Sequence, residues 1–267
     1  MTRHFMVDTF LKTYFKNRPL FLGLIRAKEM ELFHRFLPPP AILSRLKILD
    51  FGSGDGFFTK TLFETTQIPL TGIDRDSRAA SKALSEGIYS QFSLCEGALL
   101  PFKNNTFDLI ISNSVLEHVA NLPQTMKELS RTVKSGGTIL CSVMTEQWEA
   151  HLLGRLCLGQ SYAEWLRRRQ KHNHLLNFDE WHNHFENAGL AVREVIGYMD
   201  KKASRWLELL HYLSAHSLIS HKLCGRWVIF PRLFDMFPVH TLFSPLVEED
   251  IPVPDASALF FKLVKDA

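Results

Sequence analysis

The chain has 267 residues, 46% hydrophobic, 12% aromatic and 22% charged, a mixture that can build a sizeable packed core and excludes disordered, collagenous and coiled-coil chains. Thirty-one Lys and Arg against 28 Asp and Glu leave a formal charge of +3, too small a surplus to single out nucleic acid as a partner. Four cysteines without a CxxC pair fit a reducing, cytoplasmic setting. The N-terminus, interrupted by Asp8 and Lys12, does not read as a secretory signal, and no uncharged apolar run reaches the roughly 18 residues a membrane span requires.

The first forty residues carry helical spacing, with Phe10, Tyr14, Leu20, Leu24, Phe33 and Phe36 recurring among charges, and stop at Pro38-Pro39-Pro40, which reads as a linker. Five short apolar runs follow, separated by helical patterns, the rhythm of a parallel sheet covered on both faces. The predicted strands are 46–51, 69–74, 88–95, 107–113 and 137–143, with helices starting near Gly56, Ser77, Ser114 and Leu122. The last helix, with Met126, Leu129 and Val133 on one stripe, is expected to end at Gly136-Gly137. An aromatic, His-containing insertion (146–176) precedes a helix (178–188) and a strand (191–198). A second insertion (199–254) holds an apolar helical run, Trp206 to Leu213, and a Phe- and Pro-rich stretch, and a final strand spans 257–264.

The stretch LDFGSGDGFF is the most informative. Asp50 ends a buried strand, and Gly52, Gly54 and Gly56 form a loop into a helix, where glycine lets backbone approach a ligand. The dinucleotide fingerprint wants its third glycine where Phe57 stands, which weakens an NAD-dependent oxidoreductase, and no Lys-Ser/Thr pair follows to make a triphosphate loop. The second strand ends in Gly72-Ile73-Asp74, a carboxylate placed for a ribose hydroxyl pair, and the third in Cys95-Glu96-Gly97, a second acid on the same sheet edge.

In this order of motifs, followed by LPF, FD, LEH and GG, residues 47–198 resemble the class I methyltransferases that use S-adenosylmethionine. The resemblance implies a Rossmann-like α/β fold with a seven-stranded mixed sheet, an N-terminal helical lid (1–45) and a methyltransferase domain (46–267) carrying the two insertions. It implies that Asp50, Phe51, Gly52, Ser53 and Gly54 flank the methionine end of the cofactor, that Asp74 and its neighbour Arg75 lie at the ribose, that Glu96 and Gly97 meet the adenine, and that Asn113 lines the methionine side through its backbone. The cofactor has hydroxyls and an amine to bind but no pyrophosphate, which suits acids better than a phosphate cradle. A noncatalytic module binding the same cofactor is the alternative from another class.

Methyl transfer from a sulfonium relies on holding the acceptor close and excluding water, and a hydroxyl acceptor also benefits from a base. His118, in LEH, and His174, at the start of the segment after the first insertion, are the catalytic candidates. His172 and His174 with His182 and His184 suggest a metal, but side chains two apart on a helix point to different faces, and none is expected. Tyr14, Arg26 and Glu29 belong either to the lid or to a solvated helix face. No NPPY-like string follows the fourth strand, against methylation of a nucleic-acid base. The expected acceptor is a small molecule, a hydroxyl of a sugar or lipid-linked intermediate. Arg167–Arg169 and Lys171, with Lys201, Lys202 and Arg205 before the apolar run, read as solvated faces; with the Phe-rich stretch 227–247 they build either core cover or a substrate tunnel, or a peripheral contact of 199–254 with the inner face of a membrane.

Overall fold

A computed structural model of the chain describes residues 3–63 and 68–266. It opens with α1 (Arg3–Asn17), α2 (Leu20–Phe36) and α3 (Pro40–Leu43). The alternating part follows as β1 (Ile48–Phe51), α4 (Phe57–Leu62), β2 (Leu70–Asp74), α5 (Ser77–Ser85), β3 (Tyr89–Leu94), β4 (Phe107–Asn113), α6 (Leu122–Thr132) and β5 (Val133–Met144). Then come α7 (Gln147–His151), α8 (Leu153–Leu158), α9 (Gln160–Gln170), α10 (Phe178–Glu186), β6 (Leu190–Tyr198), α11 (Lys201–Leu213), α12 (Ala215–Cys224), two short helices, and β7 (Ala258–Lys265). Two compact units are distinguished: one takes the described residues up to Leu32 with 146–169 and 196–258, the other takes 33–145, 170–195 and the stretch from Leu259 onward.

The strands form one seven-stranded sheet in the order β3-β2-β1-β4-β5-β7-β6. β1 pairs in parallel with both β2 and β4, β2 with β3, and β4 with β5. The apolar runs are strands because they are covered on both faces: Ile48, Leu49, Ile110, Ile111, Leu140 and Val143 are buried, whereas the edge strand β3 holds only half-buried and exposed positions. Polar side chains set where the helices start. Asp76 accepts from the backbone N–H groups of Arg78 and Ala79, Asn121 caps α6, and Asn177 with Glu180 makes a reciprocal capping box on α10.

Three local expectations are corrected. Pro40 is not linker but the first residue of α3, where its missing N–H costs nothing. The helix after Asn121 ends at Thr132, and Gly136-Gly137 lie within β5. There the register against β4 slips between Phe107 and Leu109, and Gly136 takes a φ of 73°. A helix starting at Ser114 is absent; Ser114 has a φ of 51°, and only a single 3-10 turn, Leu116–His118, follows.

In the unit containing α1, three charged residues of α2 are withdrawn from solvent. Lys28 and Glu29 are fully buried and Glu31 nearly so. Glu29 is paired with Arg26 and accepts from the Tyr198 hydroxyl at 2.9 Å. Lys28 donates to Asp250 at 2.9 Å and to the Glu248 carbonyl at 3.1 Å, with Glu31 at 3.2 Å. Burial opposes the Arg26 charge, but Glu29 outweighs it and raises the guanidinium above its ordinary value.

Candidate active site

Four strands end at one edge of the sheet, and the cavity there is built from what each delivers. At the end of β1 the Asp50 carboxylate turns inward, accepting from the Thr59 and Tyr89 hydroxyls. Burial pushes it up to about 6, the negative charge of Asp74 adds to the rise, and the two hydroxyls hold it down in part. Asp50 thereby fastens α4 and β3 beneath the glycine loop.

The loop itself follows in left-handed backbone, with φ of 76° at Gly52, 56° at Gly54 and 78° at Gly56. A Cβ at Gly52 would stand 2.5 Å from the Val115 methyls, so the loop is held against the segment leaving β4. Asp74, at the end of β2, accepts from the Gly54 N–H on one oxygen and from the Asp76 N–H on the other, both at 2.8 Å. Each oxygen keeps a further lone pair in geometry fixed by those bonds.

From β3 come Cys95, Glu96 and Gly97. The Cys95 thiol is pushed up by burial and then by the Asp74 charge, which argues against a reactive thiolate. A Cβ on Gly97 would lie 2.6 Å from the Phe51 ring. The LPF motif acts as a fastening: Arg131 donates to the carbonyls of Leu100 (3.0 Å) and Phe102 (2.7 Å), and Glu128 accepts from the Leu100 N–H (2.8 Å). At the end of β4, the Asn113 side chain accepts from Ser142 Oγ at 2.7 Å, so it is committed to β5.

The turn Leu116–His118 is stitched to residues 171–174. The Glu117 carbonyl accepts from the N–H groups of Asn173 (2.8 Å) and His174 (3.0 Å), and Asn173 Nδ2 donates to the His118 carbonyl at 2.9 Å. His118 Nδ1 lies 3.0 Å from the Lys171 carbonyl, and the His172 ring packs 4.8 Å from the His118 ring. A carbonyl only accepts, so Nδ1 carries the proton and the acceptor lone pair of His118 is on Nε2. His174 meets the Val119 carbonyl at 3.0 Å through Nε2 and so grips peptide, while His172 packs on the His118 ring. His182 packs on Phe178, and no group of three metal-ligating residues occurs among the described residues.

The resulting cavity is about 350 Å³, lined among others by Phe51, Gly52, Asp74, Arg75, Glu96, Gly97 and His118. Asp50, Ser53, Gly54, Asn113 and His174 are not among its lining residues. Thr125, Asn121, Gln170 and Lys171 are, and sequence reasoning missed them. Asn121 and Thr125 stand at the start of α6, a position a cap signal could have flagged; Gln170 and Lys171 carry no local signal. Two carboxylates with apolar walls of Phe51, Ile73 and Val115 suit a ligand with vicinal hydroxyls, an exocyclic amine and a flat ring. S-adenosylmethionine therefore fits the donor and acceptor set present.

A family model described as a methyltransferase domain matches residues 21–195. The ubiquinone biosynthesis O-methyltransferase of Rhizobium etli is 24% identical over 201 residues, covering 73% of this chain and 80% of that protein. Among solved structures, an S-adenosylmethionine-dependent methyltransferase from Mesorhizobium loti aligns with a TM-score of 0.59 at 16% identity, covering 91% of this chain and 100% of the other. Geranyl diphosphate C-methyltransferase from Streptomyces coelicolor, solved with geranyl diphosphate, Mg2+ and S-adenosyl-L-homocysteine, aligns with a TM-score of 0.59 at 12% identity, covering 92% and 84%. At these identities the solved structures speak for the fold.

Proposed function

The chain belongs to the methyltransferase-domain family and is an S-adenosylmethionine-dependent methyltransferase, and on that premise we propose that it methylates an oxygen of a small-molecule acceptor, with His118 as the base. The oxidoreductase alternative falls with the family assignment. The observation that carries the proposal is the His118 ring, on the cavity wall with Nδ1 bonded to the Lys171 carbonyl. That bond directs the basic lone pair to Nε2, the nitrogen a hydroxyl proton would reach.

When bound, the cofactor supplies a methyl group on a sulfonium, open to in-line attack. Asp74 accepts from the ribose hydroxyls while the Gly54 and Asp76 N–H groups hold its carboxylate still. Glu96 accepts from the adenine amine, and Gly97, kept side-chain-free by Phe51, offers its backbone to the ring. Phe51 and Gly52 flank the methionine end and Arg75 stands beside Asp74 at the rim, while Ser53 and Asn113 shape the wall from behind it. Asp50 is a positioning residue, acting through Thr59 and Tyr89. His174 is another, holding the Val119 carbonyl in place.

An oxygen acceptor is supported by the name of the Rhizobium etli relative, an O-methyltransferase. We assign the acceptor to sugars or lipid-linked intermediates, and residues 1–45 with the two insertions to its selection. Calorimetric titration with S-adenosylmethionine and S-adenosylhomocysteine, followed by turnover on matched hydroxyl and amine acceptors, tests the reading. Turnover confined to amines would overturn the oxygen assignment.

A further inference from the structure

Helix α12 is built inside out. Its buried residues are Ser217 and Ser220, whereas Leu218, Ile219 and Leu223 are 59%, 63% and 77% exposed. The inward serine is satisfied locally, since Ser220 Oγ lies 2.9 Å from the Arg226 carbonyl. A helix that packs on its polar side and shows aliphatics outward reverses the arrangement of an ordinary surface helix. The pattern continues along the chain, with Phe230, Leu233, Met236 and Phe237 also exposed. Thirteen of the 22 exposed large apolar side chains among the described residues fall between Trp206 and Leu242. Such a concentration exceeds the scatter of single apolar residues normal on a protein surface.

The charges in the same stretch have one sign. Residues 201–242 contain Lys201, Lys202, Arg205, Lys222, Arg226 and Arg232 against two acids, Glu208 and Asp235. Glu208 is buried, accepting from the backbone of Leu153 and Gly154 and from the Tyr162 hydroxyl. Asp235 is matched by Lys16 at 2.5 Å and Lys12 at 3.3 Å. The stretch is therefore apolar and cationic together, with Trp206 and Tyr212 exposed within it.

We propose that α11, α12 and the stretch to Leu242 form a docking surface for an anionic lipid bilayer. The outward aliphatics enter the acyl boundary and the cations meet the headgroups. No described helix is long and apolar enough to cross a membrane, so the segment lies in the plane of the interface. The inference deepens the lipid-linked acceptor reading and rests on it for its purpose, but the surface is tested on its own.

The full chain is floated with vesicles of phosphatidylcholine alone and with about one third phosphatidylglycerol. It floats with the anionic vesicles and not with the neutral ones, and about 0.5 M salt weakens the association. The triple variant Leu218→Ser, Ile219→Ser, Leu223→Ser partitions about tenfold more weakly or worse, with S-adenosylmethionine affinity and circular dichroism unchanged. Should the triple variant fail to fold, Lys201→Glu with Lys202→Glu is read in its place, with the same loss expected. Three results overturn the proposal: no partition of the parent chain onto anionic vesicles, undiminished partition of the variants, or a dimer in light scattering that the triple variant dissolves while vesicles capture nothing. A parent chain that binds the cofactor but not the anionic vesicles refutes the surface alone, whereas a parent chain that binds no cofactor refutes the methyltransferase reading instead.

Discussion

Replacing Asp50 by Asn tests the charge state beneath the glycine loop. In the folded chain the carboxyl titrates at about 6, against an ordinary value of 3.8. A group that holds its proton more tightly when folded stabilises the fold below its unfolded pKa and loses that contribution as pH rises through its folded pKa. The window is therefore pH 3.8 to about 6, and at about 1.4 kcal/mol per unit the contribution lost across it is about 3 kcal/mol. His34, His151 and His211, all depressed by burial, work in the opposite direction as they deprotonate. They are common to both proteins and cancel in the difference. Urea unfolding of parent and Asp50→Asn, followed from acid to neutral pH, should show the parent losing about 3 kcal/mol relative to the variant. The Asn amide still hydrogen-bonds Thr59 and Tyr89 without a charge. A difference that stays flat across the window would refute the buried, proton-holding Asp50.

Asp74→Ala should weaken S-adenosylmethionine binding by about 1 to 3 kcal/mol in calorimetry through loss of charge-assisted hydrogen bonds; unchanged affinity removes Asp74 from the site. His118→Ala should lower kcat on a hydroxyl acceptor by about 10²- to 10⁴-fold and abolish the acidic limb of the pH profile, with cofactor affinity retained. Equal turnover by the variant sinks the base. Glu29→Gln removes the buried carboxylate facing the half-buried Arg26 and should cost about 1 to 3 kcal/mol of stability, read by urea unfolding, whereas an exposed pair would cost almost nothing.

What could be read from the sequence follows from how local each signal is. Strands buried on both faces are written as unbroken apolar runs, so ILDF and FDLIISN announce β1 and β4 directly. Phe51, Gly52, Asp74, Arg75, Glu96, Gly97 and His118 line the cavity because each sits at or just past the end of such a run or of the turn after it. The Gly136-Gly137 pair misled because glycine ends helices and also permits bulges, and only the slipped pairing with β4 decides between them. The charges of α2 gave no hint of burial, since their partners Tyr198 and Asp250 lie more than 150 residues away in the chain. Lys171 reaches the cavity for the same kind of reason, through a bond to a residue 53 positions earlier.

The seam between residues 117–119 and 171–174, with the Thr145 to Leu176 bridge beside it, fixes both ends of the first insertion near one point. Such an excursion is a closed loop whose entropic cost grows only logarithmically, about 0.6 kcal/mol for each doubling of its length. Closure entropy therefore sets little limit on the length of residues 146–169, and what fixes the segment is its own packing, with Trp148 and Leu166 buried and Leu153, Gly154 and Tyr162 bonded to Glu208, while Lys171 keeps its hold on His118. On the proposal that this excursion selects the acceptor, a chimera that swaps it between its two anchors would change the acceptor and leave the seam at His118 in place.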